Sequence, residues 1–118
     1  MMVPTNNGGD INAEVIKKYF KNLVNAFFKI LPLKENNEST LDTYLKSLQI
    51  ELLGCKGVIA ALNNDPLFLS LISILQYLID YPECSVYEVK REVFKAISIC
   101  NKLKATYSVM LKSEEGST

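Results

Sequence analysis

Asp65-Pro66-Leu67-Phe68-Leu69-Ser70-Leu71-Ile72-Ser73-Ile74-Leu75-Gln76-Tyr77-Leu78-Ile79-Asp80 is the stretch whose reading decides the fold. No charged side chain lies between its two aspartates. It opens as a helix does: Asp65 can cap, and Pro66 suits the first helical position, where a missing N–H costs nothing. It stops at Tyr81-Pro82, because proline cannot continue a helix. At about 100° per residue, Leu67, Phe68, Leu71, Ile72, Ile74, Leu75, Leu78 and Ile79 fill one wide apolar face. Leu69, Ser70, Ser73, Gln76 and Tyr77 make the other face, which carries no charge. A helix without a charged face is covered on most sides. The expectation is therefore an all-α protein: a single-domain four-helix bundle, mostly antiparallel, with this segment as a buried third helix.

Upstream, apolar residues recur at Ile16, Tyr19, Phe20, Leu23, Phe27 and Ile30, which predicts a first helix from an Asp10 cap to about Leu31, ended by Pro32. Its lysines, among them Lys17, Lys18 and Lys21, fall on the opposite side. A second helix is expected from about Ser39, with Asp42 at the capping-box position and a seam of Leu41, Tyr44, Leu45, Leu48, Leu52, Cys55, Ile59 and Leu62. That seam passes through Gly54 and Gly57. Each internal glycine costs roughly 1 kcal/mol against alanine, so the pair marks either a kink or a place where another helix approaches closely. Downstream, Ser85-Val86-Tyr87-Glu88 reads as a capping box, with Cys84 and Val89 as its hydrophobic staple. The fourth seam runs Val86, Val89, Val93, Ala96/Ile97, Cys100, Leu103, Tyr107 and Met110. The links around the third helix are short, which places neighbours antiparallel. Residues 1–9 read as a flexible tail, 10–111 as the helical domain and 112–118 as a frayed end.

Composition narrows the chemistry. The 118 residues suit one domain. Lys plus Arg and Asp plus Glu stand at 13 each, which argues against a dominant nucleic-acid or membrane footprint. Arg91 is the single arginine, and arginine's fork is the favoured phosphate clamp. With no histidine, the commonest general base and His-based metal sites are missing. The cysteines Cys55, Cys84 and Cys100 make an odd, irregularly spaced set, which fits a reducing cytoplasm better than a disulfide framework. No secretory signal is visible. The run from Leu67 to Ile79 is too short to span a bilayer, which needs about 20 residues. Gly54-Cys55-Lys56-Gly57 lacks the strand, long loop and GK[ST] ending of a phosphate-binding loop. Glu88 and Glu92 read as a solvated face interleaved with Arg91 and Lys95. The expectation is a protein that is not an enzyme, with no cofactor, no metal and no evident small-molecule substrate.

Two binding surfaces remain. Ile50, Gly54, Gly57 and Ala61 on the second helix, and Ser70, Ser73, Gln76 and Tyr77 on the third, are uncharged faces that suit a protein partner or a second copy. The alternative is a weak basic surface for nucleic acid from Lys17, Lys21, Arg91, Lys95 and Lys102. Val89-Lys90-Arg91-Glu92-Val93-Phe94-Lys95-Ala96-Ile97 resembles, in style, the lysine-rich accessory proteins of phages and mobile elements of AT-rich bacteria. In size and helicity the chain resembles the small helical subunits of RNA-guided defence complexes. Neither resemblance assigns a role to any residue. The preferred function is a small cytoplasmic accessory protein that binds another protein or itself.

Overall fold

The computed structural model describes residues 2–4, 10–59 and 62–116, with side chains over 14–57, 59 and 62–106. The fold is all-α. Among the described residues the helices are α1 (Ala13–Phe28), α2 (Ile30–Glu35), α3 (Leu41–Val58), α4 (Pro66–Asp80) and α5 (Val86–Gly116). Two three-residue strands precede them, β1 (Met2–Pro4) and β2 (Asp10–Asn12), paired antiparallel with Val3 opposite Ile11. Asp10 therefore belongs to a strand and does not cap a helix; α1 begins three residues later.

Helix α4 forms as its sequence dictates. The Asp65 side chain accepts from the backbone N–H of Leu67 (2.9 Å) and of Phe68 (3.2 Å), and Pro66 occupies the first turn. Two of the N–H groups that every helix start leaves unpartnered are thus satisfied by one carboxylate. Its burial is one-sided. Phe68, Leu71, Leu75 and Leu78 are buried, whereas Leu69, Ser70, Ser73 and Gln76 are exposed. The helix expected to be buried and third in order is thus the fourth, with α3 and α5 packed along it and Phe20 of α1 against Phe68, which leaves its outer side open.

Proline at 32 does not end the first helical segment as expected. The chain breaks three residues earlier, at Lys29, and restarts as α2. Pro32 then lies in the first turn of a new helix, where its missing N–H is not needed and its ring escapes the clash it would cause deeper in α1. The end of α2 is a Schellman motif: Glu38 N–H bonds Leu33 C=O (2.9 Å), Asn37 N–H bonds Lys34 C=O (3.1 Å), and Asn37 takes φ 52°.

In α3 the helix starts after Thr40, and Asp42 pairs with Lys46 (2.8 Å) rather than closing a capping box. The helix runs through Gly54 and Gly57 without a break and stops at Val58. Ile59 and Leu62 are buried as the seam predicted, but from the link that follows the helix. At the start of α5, Ser85 Oγ accepts from Glu88 N–H (3.2 Å). The Glu88 carboxylate turns to the Tyr77 hydroxyl (3.2 Å), so half of the expected capping box is used and the other half ties α5 to α4.

Cross-contacts set the directions. Tyr44 Oη donates to Ala26 C=O (2.7 Å), while Tyr19 lies beside Cys55, so α1 and α3 run antiparallel. Phe28 meets Phe94 (ring centroids 6.2 Å apart), while Lys17 and Lys104 line one hollow, so α1 and α5 are also antiparallel. Gln49 reaching Gln76, with Leu41 near Leu78, makes α3 and α4 a third such pair. Between them lies one core, in which Phe20 and Phe68 meet edge to face at 6.3 Å, joined by Leu23, Phe27, Leu52, Leu75, Val93 and Cys100.

Candidate interaction surfaces

Cysteine chemistry is muted by the same core. Burial pushes the Cys100 thiol up to about 12 and the Cys55 thiol up to about 11. Cys84, half-buried beside Val89, is also raised by burial, against an opposing pull from Lys34. A nucleophilic cysteine needs the reverse shift. Among the described residues no three His, Cys, Asp or Glu side chains gather as metal ligands. At the Asn37 end, a cavity of about 180 Å³ has a floor of Ile30, Leu45, Leu78 and Val89. Its rim carries Glu38 and Asp42, the latter held by Lys46. No helix among the described residues is long and apolar enough to cross a membrane.

The uncharged faces of α3 and α4 lie side by side. Gln49 Nε2 donates to Gln76 Oε1 (2.9 Å), and Gln76 Nε2 donates to Asp80 Oδ1 (2.8 Å), so Gln76 joins the two helices at their outer edge. One turn along α3 from Gln49 lies Leu53, and one turn back along antiparallel α4 from Ile72 lies Leu69. Ile50 is 69% exposed and Leu53 47%. Gly54 and Gly57 are exposed, and a Cβ added at either meets nothing within 4 Å. Ser70 and Ser73 are exposed but lie on the opposite flank of α4, where they line a groove with Tyr77 and with Glu92, Lys95 and Ile99 of α5; Ser70 Oγ donates to Pro66 C=O (2.9 Å). Tyr77 shares that groove with the two serines, away from α3. It is half-buried, bonded to Glu88 and packed on Tyr81, with ring centroids 4.9 Å apart. Ala61 lies outside the described residues. The sequence reading missed Leu53, because the α3 seam already had Leu52 and a second adjacent leucine carries no periodic signal.

The five basic candidates separate into two places. Arg91 and Lys95 flank Glu92, at 3.6 and 3.2 Å, on the α4 side of α5. Glu92 is only 8% exposed and is the one buried charged residue among those described. Lys17 and Lys21 face the other side, where they line a hollow with Lys18, Asn22, Glu14 and Lys104. Lys102 is exposed on the outer face of α5. Lys104 was not singled out in the sequence, since at about 100° per residue it falls near the buried edge of α5; its meeting with α1 is a product of the tertiary fold.

Comparisons with protein-family models, with curated proteins and with solved structures return no match.

Proposed function

We propose that this chain is a small non-enzymatic helical accessory protein that acts by association, through the outer face of α3 and α4, with a second copy of itself. The observation that supports this reading is the pairing of an exposed knob and an open gap on one helix. Ile50 stands in solvent, and Gly54 and Gly57 leave room one and two turns further on. A two-fold axis crossing α3 sets the knob of each copy over the gap of the other, and a contact made once is made twice. Leu53 and Leu69 extend the apolar centre, and Gln49 and Gln76 supply polar groups at its edge, as in the usual interface pattern. Burying one isoleucine fully is worth about 1.5–3 kcal/mol. The chain's net charge of zero adds no repulsion between copies.

Sedimentation equilibrium tests the reading. The wild type is expected to show reversible monomer–dimer exchange at micromolar concentration. Ile50→Glu, Gly57→Glu and Leu69→Glu are expected to be monomeric with unchanged helical circular dichroism. A wild type that stays monomeric at millimolar concentration removes self-association.

A further inference from the structure

On the far side of the molecule from the α3–α4 face, α1 and α5 meet along a surface of a different kind. Lys17, Lys18, Lys21 and Lys104 converge on one hollow, and none of the four is in an ion pair among the described residues. Glu14 is the one carboxylate lining it. Further along the same junction, Phe28 and Phe94 meet edge to face, rings 81° apart, yet are 42% and 53% exposed. At about 100° per residue Lys17, Lys21 and Phe28 fall within about 40° of each other, so the ammonium groups and the ring share one face of α1. Phe28 lies about 10 Å along the axis from Lys21.

Each half of this surface selects part of a ligand. Lysine ammonium groups recognise phosphate as point charges. An exposed aromatic ring takes a flat π-face. A ligand that carries phosphates and flat rings at this spacing is a single-stranded nucleic acid. We infer that the α1–α5 junction binds a few nucleotides of single-stranded RNA or DNA, with the backbone on Lys17, Lys18, Lys21 and Lys104 and one base on Phe28 and Phe94. An acidic peptide would use the lysines but leave the rings idle. A duplex would meet the charges but offer no free base. The Arg91–Lys95 side takes no part, because Glu92 already holds both cations.

Fluorescence anisotropy of labelled oligo-dT and oligo-U dodecamers, with the full chain, tests this. Binding is expected at low salt, with log K falling against log salt at a slope of about −3 for four phosphate contacts on a single strand. Lys17→Gln with Lys21→Gln should reduce that slope to about −1.4. Lys17→Arg with Lys21→Arg should retain binding. Phe28→Leu, whose folding is checked by circular dichroism, should weaken binding roughly tenfold and leave the slope unchanged. Arg91→Gln with Lys95→Gln should change nothing. The inference is overturned by no binding at low salt, by a duplex or poly-glutamate displacing the probe as well as the unlabelled single strand does, or by Phe28→Leu binding as the wild type does.

Discussion

Tyr19 illustrates how a single residue sits in this core under strain of composition. Its hydroxyl is buried, and among the described residues it meets only the Cys55 thiol, a weak partner that leaves it short of a full hydrogen bond. A buried, unsatisfied hydroxyl costs about 1–3 kcal/mol. Tyr19→Phe keeps the ring and deletes the cost, so it should raise the unfolding free energy by about 1 kcal/mol in urea titrations at neutral pH. The same burial fixes the alkaline limit. Burial pushes the Cys100 thiol from 9.0 up to about 12, and the Tyr19 hydroxyl is raised as well, first by burial and then by neighbouring Cys55 and Glu51. These groups are raised above their unfolded values, so the folded chain holds protons that the unfolded chain releases. Their stabilisation is fully present below pH 9 and is lost as pH rises toward 12. The slope for each group is about 1.4 kcal/mol per pH unit. Denaturant midpoints should hold level from pH 8 to about 9 and fall from there to pH 11, less steeply in Tyr19→Phe above pH 10.

Elements differ in how much of their reason is local, and that difference decided what the sequence disclosed. The bounds of helix α4 were legible because its start and stop are both written next to it, in Asp65-Pro66 and Tyr81-Pro82, whereas its one-sided burial was not, since a missing charge does not show which side is covered. The α1–α2 break was not, because proline is compatible with the first turn of a new helix as well as with the end of an old one. The end of α3 was misplaced for a related reason: Ile59 and Leu62 keep the helical period while belonging to a link, and burial, not helicity, is what the period reports there. The uncharged faces of α3 and α4 were legible as patterns, but only the fold shows that Gln76 lies against α3 through Gln49 while Ser70, Ser73 and Tyr77 turn toward α5. The Lys104 partnership with α1 was illegible because charge position on α5 says nothing about which helix lies alongside. A locally determined helix should respond to local change. Asp65→Ala removes both cap bonds and should destabilise the protein by about 1 kcal/mol, within a range of about 0.5–2. Asp65→Asn, which keeps an acceptor, should recover most of the loss. Urea midpoints of the three proteins measure it.

At the scale of the whole molecule, the bundle has segregated its surface by chemistry rather than by net charge. Thirteen positive and 13 negative side chains cancel in sum, yet one flank presents isoleucine, leucine and glycine while another gathers four lysines around one hollow. Ionic strength therefore separates the two proposed activities in a single experiment. An interface built on Ile50, Leu53 and the glycines has no charge for salt to screen, and salts that strengthen burial can only assist it. A contact built on four ammonium groups loses affinity with every counterion it must displace. Raising sodium chloride from about 50 to 200 mM, where the Debye length falls below about 8 Å, should leave the dimerisation constant within about a factor of two. Over the same range, affinity for the single strand should fall by roughly 50-fold, as a slope near −3 requires. Sedimentation and anisotropy on one protein stock read both. If dimerisation collapsed with salt, charged residues and not the Ile50 knob would carry self-association. If strand binding were indifferent to salt, the lysine hollow would not be its seat.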